Sequence, residues 1–273
     1  AMFKCKQFPD REFKSQDDMF KHLRENADKI ISVKKATIYK SVEKGIHEIF
    51  LLDKTLAISK GIHMKDDCIY PVINTTMVMD HFDDVHINGC SKKTAKEQNG
   101  KIFYMMDHKT GVDNVIAWPS DVNIMVKSVP WAFLNAPYEG DTEAFMFEIS
   151  KSEIVHPVAK DIIDKKRPVQ NSISMQYIQV WLAMNSKAKE DEVYLKRYDQ
   201  WIEQIANKDQ VKEQGYFFGV EELAIRNEGS MVLRGANYIT PIKEKSDAVH
   251  GDTSDKADAG KSTFKYFNPH LFN

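Results

Sequence analysis

The chain has 273 residues, 42% of them hydrophobic, and its 38 Lys and Arg nearly balance its 40 Asp and Glu, giving a net charge of -2. This is the composition of an ordinary globular protein that can bury a sizeable core. No apolar run approaches the about 18 residues of a membrane span, the first residues lack a secretory-type apolar stretch, and no basic block is present. We therefore expect a cytosolic protein with neither membrane nor nucleic acid as its main partner.

The cysteines Cys5, Cys68 and Cys90 are odd in number and lack the C-x-x-C spacing. They indicate neither a disulfide framework nor a structural zinc site, and we expect buried or incidental thiols.

The first element is SQDDMFKHLRENADKII, where Ser15 and Asp18 form a helix start and apolar residues recur at helical spacing. The pattern predicts one amphipathic helix. Short segments rich in β-branched and aromatic residues follow and predict strands that build a sheet or barrel; they are ATIYKSV, HEIFLLD, KTLAISK, DCIYPVI, TTMVMDHF and DVHI.

The middle of the chain continues with a short helix in KKTAKE, an Asn-Gly stop, and a strand that ends at Asp107 and His108 before a Gly turn. Pro157 suits the first position of a helix in SEIVHPVAKDIIDKK. Further strands are predicted in DNVIAWPSD, VNIMVKSV, WAFLNAP, EAFMFEIS and PVQNSISMQYIQVWLAM.

From about 185 to 214 the sequence predicts a long helix whose aromatic stripe packs on the core; the stripe is Tyr194, Tyr198, Trp201 and Ile205. GYFFGVEELAIRNEG and MVLRGANYITPI return to strand patterning. The polar stretch 243–262 is expected to be disordered, and the aromatic end TFKYFNPHLFN is expected to dock on the body or on a partner.

A serine hydrolase needs a hydroxyl nucleophile, a histidine base and a group that orients the imidazole. His108 ends a strand, where it could face a cleft. Ser174 alternates with apolar neighbours and shares a strand face with Ser172 and Gln176. Such a face either meets water or lines a site, and alternation by itself favours water.

Asp84-Val85, Gly89, the KKTAKE helix and Asp107-His108, in this order, resemble the head of the prohead (procapsid maturation) serine protease family of tailed phages. This is the first of four weak motifs that follow one another in the family's order. EAFMFEI, the DIIDKK helix and SISMQY resemble its strand, helix and nucleophile strand, in which Ser174 matches the catalytic serine and Tyr177 the following aromatic residue. EELAI resembles its Glu-hydrophobic-Ser-hydrophobic strand, and GANYITP its closing Pro-Ala-Asn segment.

The resemblance covers residues 80–242 and implies an α+β fold. Its body is expected to be a mostly antiparallel, barrel-like sheet with peripheral helices, as in the herpesvirus maturation protease. Residues 1–79 would form a divergent part of the body, 80–242 the catalytic region with a helical insertion at 185–214, and 243–273 a disordered linker and aromatic tail.

The resemblance also implies roles. Ser174 would be the nucleophile, His108 the base, and Glu222 the orienting acid, with Glu221 as its alternative. The family's first Gly is replaced by Ser172, so a frame shifted by two would make Ser172 the nucleophile. In the herpesvirus enzymes the third member is another histidine. The oxyanion would be held by backbone N–H groups, with assistance from either of two cations, Arg226 or Arg234.

The resemblance implies a phage or prophage endopeptidase without a cofactor that cleaves scaffolding protein and the major capsid protein precursor. It would work in the host cytoplasm inside assembling proheads, and related viral proteases are commonly oligomeric. The segment after Lys243 would then be a tether to scaffold or an autocleaved end.

Two other interpretations stay open. HFDDVH offers imidazole and carboxylate ligands for a metal-dependent hydrolase, although strand alternation would divide them between two faces; the ligands would be His81, Asp83, Asp84 and His86. A phage assembly protein could also keep the fold without catalysis. The other histidines have no motif around them and are expected at surface or satisfied positions; they are His22, His47, His63, His156, His250 and His270.

Overall fold

A computed structural model describes residues 2–40 and 64–244 of the chain. Its α-helices there are α1 Gln16–Glu25, α2 Ala27–Ala36, α3 Lys92–Gln98, α4 Pro157–Asp164, α5 Glu192–Trp201 and α6 Lys208–Gln214. The strands are β1 Phe3–Lys4, β2 Glu12–Phe13, β3 Ile38–Tyr39, β4 Cys68–Thr75, β5 Asp84–His86, β6 Phe103–Met106, β7 Val115–Ala117, β8 Asn123–Pro130, β9 Asp141–Ser150, β10 Gln170–Met184, β11 Tyr216–Val232 and β12 Ile242–Lys243. The predicted strands HEIFLLD and KTLAISK, and all of the linker and tail beyond 244, lie outside the described residues.

Two curled sheets form a half-barrel. The larger has the order β3-β10-β11-β6-β7, with β5 also paired to β11, and the smaller has the order β12-β4-β9-β8. The two longest strands, β10 and β11, pair antiparallel, whereas β5 and β6 run parallel to β11. The prediction of an α+β fold is therefore confirmed, and the predicted barrel-like body is a half-barrel in which two pairings of the larger sheet are parallel.

The main hydrophobic core lies between the two sheets. Ile69, Phe145 and Phe147 come from the smaller sheet, and Ile173 and Met231 come from the larger one. All five side chains are nearly inaccessible to solvent. Apolar burial of this extent is the main favourable term that holds the sheets together, at about 25 cal/mol per Å² of buried apolar surface.

The N-terminal amphipathic segment forms two helices, so the prediction of one helix is wrong in this respect. Its start is confirmed, because the Ser15 hydroxyl accepts a hydrogen bond from the backbone N–H of Asp18. The break is at Asn26, whose side-chain amide donates to the carbonyl of His22 and ends α1. Asparagine is disfavoured in helix interiors because its side chain competes for backbone hydrogen-bond partners. The second helix carries Lys34 into the interior.

The predicted long helix at 185–214 is also interrupted, by a short 3₁₀ turn and an extended residue between α5 and α6. Ile205 is extended and buried, and the next N–H, that of Ala206, donates to the carbonyl of Met77 at 2.7 Å. A tertiary backbone bond therefore replaces the helical one. The core-packing interpretation of the aromatic stripe is confirmed, because Tyr198 and Ile205 belong to a buried cluster, against which Trp201 packs.

Three predicted strands are not formed as expected. MVLRGANYITPI continues β11 only to Val232, and the next strand begins at Ile242. WAFLNAP begins with a 3₁₀ turn, Trp131–Leu134, which follows Pro130 and ends at the left-handed residue Asn135. In TTMVMDHF, Thr75 ends β4, and the residues after it make one isolated bridge, between Met79 and Val85. In WAFLNAP and TTMVMDHF most of the large apolar residues are buried, although they do not pair along a β-ladder. The periodicity of apolar residues cannot distinguish such a buried segment from a strand.

All three cysteines are described, and each is a buried free thiol, as expected. In the described ranges there is no helix with the length and apolar character needed to cross a bilayer.

Candidate functional site

The candidate site lies on the face of the larger sheet that points away from the main core. Along β10, Ile173 and Met175 belong to the core, so Ser172 and Ser174 point to the opposite face. Along β11 the same alternation places Met231 in the core and Ser230 on the opposite face. The polar residues of both strands therefore share one face. Strand alternation alone favoured a solvated face, but Ser172 and Ser174 are only 6% and 3% exposed.

A bulge in β11 sets which residues of the two strands are neighbours. Ser172 pairs with Ser230, and Ile173 pairs with Gly229, but the next pair is Met175 with Ile225. The extra residues of β11 include Asn227, whose φ of 64° is left-handed. When the register on the Ser172 side is continued by one residue, Ser174 lies opposite Glu228, which immediately follows the bulge.

His108 enters this face from the neighbouring strand. β6 runs parallel to β11, and its ladder is extended by Asp107, whose N–H donates to the carbonyl of Met231 at 2.9 Å. Asp107 and His108 then both adopt left-handed backbone angles, with φ of 52° and 55°. This turn directs the chain away from the β6 ladder and brings the imidazole to Glu228.

The imidazole of His108 and the carboxylate of Glu228 form a buried pair. Nδ1 of His108 lies 2.7 Å from Oε1 of Glu228, and the two side chains are 5% and 4% exposed. A carboxylate oxygen accepts hydrogen bonds, so in this arrangement Nδ1 donates and Nε2 is the nitrogen that can take a proton. A histidine oriented in this way is equipped for general acid–base chemistry.

Gly229, between Glu228 and Ser230, faces the core. A Cβ built on Gly229 would come within 2.9 Å of the Phe147 ring and 3.0 Å of Ile73. Glycine therefore allows β11 to approach the smaller sheet closely at the point where its other face carries the site.

Glu222 and Glu221, the predicted orienting acids, lie beyond the bulge from His108. Glu222 pairs with Lys93, with Oε1 2.8 Å from Nζ, and Glu221 is exposed. The structure thus brings His108 to Glu228 and not to either predicted acid.

Arg226 and Arg234, the predicted cations, are both exposed. The guanidinium of Arg226 donates to Oε1 of Gln176 on β10, through Nε at 3.1 Å. Arg234 lies in the turn after β11, next to Gly235, whose N–H donates to Oε1 of Gln170 at 2.7 Å. Gln170 begins β10, so this turn is anchored to the strand that carries both candidate nucleophiles.

The sequence contains a signal for Glu228 in the segment that follows EELAI. Glu228, Ser230 and Met231 fit three of the four positions in the Glu-hydrophobic-Ser-hydrophobic pattern of the phage proteases, with Gly229 at the second position, and Gly235-Ala236-Asn237 follows closely. EELAI, which was matched to this pattern, has no serine. The short distance in sequence from Glu228 to Gly235-Ala236-Asn237 is the feature that favours Glu228 as the matching acid.

The HFDDVH segment lies beside a separate buried polar cluster. Asp83 pairs with Lys6 at 2.7 Å, and Asp84 pairs with Lys34 at 2.5 Å. The hydroxyl of Tyr177 donates to Asp84 at 2.7 Å, and Nδ1 of His86 contacts the Asn74 amide. These side chains are directed to different partners, and over 2–40 and 64–244 no group of three or more His, Cys, Asp or Glu residues is arranged to hold a metal ion.

Burial dominates the electrostatics of this cluster. It raises the pKa of Asp80 well above its usual value and also raises the pKa of Asp84, which Lys34 partly opposes. For His86, burial first and the Lys34 charge second lower the pKa to about 4. His86 is therefore neutral in the folded protein near neutral pH.

The lowered pKa of His86 predicts a loss of stability in acid. Below about pH 6.5 the unfolded chain binds a proton at this residue, whereas the folded protein does so only near a pKa of about 4. The contribution of neutral His86 to the free energy of unfolding is thus fully present above pH 6.5 and decreases towards pH 4, by about 1.4 kcal/mol per pH unit for one proton. In urea unfolding across this window, His86→Gln should show a shallower pH dependence than wild type.

His22→Gln, which removes a histidine at a partly exposed position, is measured in parallel as the control for the substitution itself. The raised pKa values of Asp80 and Asp84 act with the opposite sign but are present in every protein compared. Equal slopes in wild type and His86→Gln would contradict the prediction.

Comparison of the chain with protein-family models, with curated proteins and with solved structures found no match in any of the three.

Proposed function

We propose that this protein is a serine endopeptidase of the prohead-maturation kind, with Ser174, His108 and Glu228 as its catalytic residues. The observation that carries the proposal is the buried pair between Nδ1 of His108 and Oε1 of Glu228, on a sheet face that also receives two serines from β10. A serine peptidase uses an imidazole oriented by a carboxylate to deprotonate a serine hydroxyl, and the buried pair supplies the imidazole and the carboxylate of this arrangement.

Ser174 is favoured over Ser172 by the register. Ser172 pairs with Ser230, whereas the same register continued by one residue puts Ser174 opposite Glu228. Because the imidazole is bonded to Glu228, a serine opposite Glu228 would be the better placed of the two to reach the ring, and this is the reason for proposing Ser174. Residues directly opposite on an antiparallel pair have Cβ atoms about 5 Å apart.

The proposed reaction proceeds through an acyl-enzyme. Oγ of Ser174 attacks the scissile carbonyl, and its proton passes to Nε2 of His108, while Glu228 stabilises the imidazolium. The C–N bond then breaks as His108 protonates the leaving amine, and water attacks the ester with His108 again as base. Arg234, in the turn anchored to Gln170, is the cation proposed to assist backbone N–H groups at the oxyanion.

The substrates proposed from the resemblance are the scaffolding protein and the major capsid protein precursor, cleaved within the assembling prohead of a phage or prophage. The polar composition of 243–262 and the aromatic end of the chain fit a tether to such a scaffold at the level of sequence. These partners, and a homo-oligomeric state, are part of the proposal.

A fluorophosphonate probe tests the nucleophile. We expect the probe to label wild type and Ser172→Ala, and mass spectrometry of the labelled peptide should place the adduct on Ser174. Ser174→Ala and His108→Ala should lose labelling, because the first lacks the hydroxyl and the second lacks its base. Circular dichroism should show that all four proteins are folded.

An adduct on Ser172 would contradict the assignment and favour the frame shifted by two. Folded wild-type protein that reacts no faster than denatured protein would contradict the enzymatic proposal and favour an assembly protein without catalysis.

A further inference from the structure

The hydroxyl of Ser230 joins the backbone of His108 to the carboxylate of Glu228. Oγ of Ser230 donates to Oε2 of Glu228 at 2.6 Å and accepts from the backbone N–H of His108 at 3.0 Å. Ser230 is completely buried. Both oxygens of Glu228 are therefore engaged, one by the imidazole and the other by this hydroxyl.

The backbone N–H of His108 makes this bond within a turn of left-handed residues. Asp107 and His108 are consecutive left-handed residues, a conformation that is unfavourable for residues with a Cβ. The N–H of Asp107 still extends the ladder with β11, but the N–H of His108 has turned out of it and bonds to a side chain. Ser230 thus supplies the partner that the sheet no longer provides.

Ser230 is unsuited to be a nucleophile itself, since its proton is directed to Glu228. A hydroxyl has one donor and two acceptor positions, and here the donor and one acceptor are used within the cluster. This separates Ser230 from Ser172 and Ser174, although all three share one face of the sheet.

We propose that Ser230 is a positioning residue that fixes the His108 imidazole against Glu228. This inference rests on the proposed function for its catalytic consequence, but the geometry that it describes does not depend on catalysis. With the carboxylate held at both oxygens and the His108 backbone held at its N–H, the ring keeps Nδ1 on Glu228 and presents Nε2 in a constant direction.

The test compares Ser230→Ala with Ser230→Thr, which retains a hydroxyl. Proton NMR should show a downfield Nδ1–H resonance in wild type, assigned by its loss in His108→Gln. We expect this resonance to be lost through exchange with water in Ser230→Ala and retained in Ser230→Thr. On a peptide substrate, Ser230→Ala should lower kcat about 100-fold with KM little changed, since a catalytic group displaced by about 1 Å costs this much.

Ser186→Ala is the matched control, because Ser186 is also buried and its hydroxyl donates to a carboxylate, Asp191, at 2.5 Å. It should leave the resonance and kcat unchanged. If Ser230→Ala fails to fold, Ser230→Cys, with a similar volume and a weak donor, takes its place. An unchanged resonance in Ser230→Ala, or in Ser230→Cys where that variant replaces it, or a loss of kcat no larger than that of Ser186→Ala, would overturn the inference. Absence of hydrolysis by wild type would remove the proposed function, while the NMR result would still decide the role of Ser230.

Discussion

Glu228→Gln is expected to lower kcat/KM for peptide hydrolysis by about 10³- to 10⁴-fold, the scale of the loss when the orienting carboxylate of a Ser/His/Asp triad becomes an amide. In wild type, Oε1 of Glu228 accepts the hydrogen bond from Nδ1 of His108 at 2.7 Å. An amide of the same shape can donate to that nitrogen, which favours the wrong tautomer, and it cannot stabilise an imidazolium. The side chain is nearly isosteric, so the unfolding midpoint should change much less than the activity.

Glu222→Gln is the matched control on the same strand. Glu222 is the acid that the sequence pattern favoured, and its carboxylate pairs with Lys93 instead. Its replacement should change kcat/KM less than about twofold, because an exposed ion pair contributes little even to stability. Equal losses in both variants, or a loss confined to Glu222→Gln, would contradict the assignment of Glu228. Where no peptide substrate is in hand, the rate of fluorophosphonate labelling gives the same comparison.

Lys34→Ala is expected to produce the largest loss of stability, about 3 to 5 kcal/mol in the free energy of unfolding. The ammonium of Lys34 is 2.5 Å from Oδ1 of Asp84, and the two side chains are 8% and 0% exposed. It also donates to the carbonyl of Phe82 at 3.1 Å and lies 4.4 Å from the centre of the Phe218 ring. Its removal leaves a buried carboxylate without its main counter-charge, and urea unfolding near neutral pH measures the cost.

The exposed pair of Lys93 with Glu222 is the control, and Lys93→Ala should cost less than about 1 kcal/mol. In the double variant Lys34→Met with Asp84→Asn, the uncompensated charge is gone. Its loss of unfolding free energy should therefore be smaller than the sum of the losses in Lys34→Met and Asp84→Asn. A cost for Lys34→Ala similar to that for Lys93→Ala would show that the buried pair does not stabilise the fold.

The strands and their faces could be predicted from the sequence where burial enforces a simple period. The segment around SISMQY alternates between core and opposite face as expected, since Ile173 and Met175 pack in the core and the serines do not. The start of the first helix at Ser15 and the proline at the start of α4 followed local rules of helix capping. These features depend on neighbouring residues alone.

Features set by distant contacts could not be predicted in this way. The bond from Ala206 to Met77 interrupts a helix that its own residues favour. The bulge at Asn227 shifts the register of β11 against β10, and with it which residues of these two strands are neighbours. The alternation of side chains along a strand could not choose between Glu222 and Glu228. The two residues are an even number of positions apart, so alternation places them on the same face, and the intervening bulge is not visible in the sequence.

Gly229 makes the interior and the polar face of β11 mechanically dependent on each other. The residue touches the region of Phe147 and Ile73 on one side, while its two neighbours in sequence, Glu228 and Ser230, hold His108 on the other. A bulkier residue at 229, or a larger one in place of Ile73, would have to push the strand outward, and the displacement would be transmitted through the backbone to the carboxylate and the hydroxyl. Substitutions that never meet a substrate could in this way alter the alignment of the imidazole.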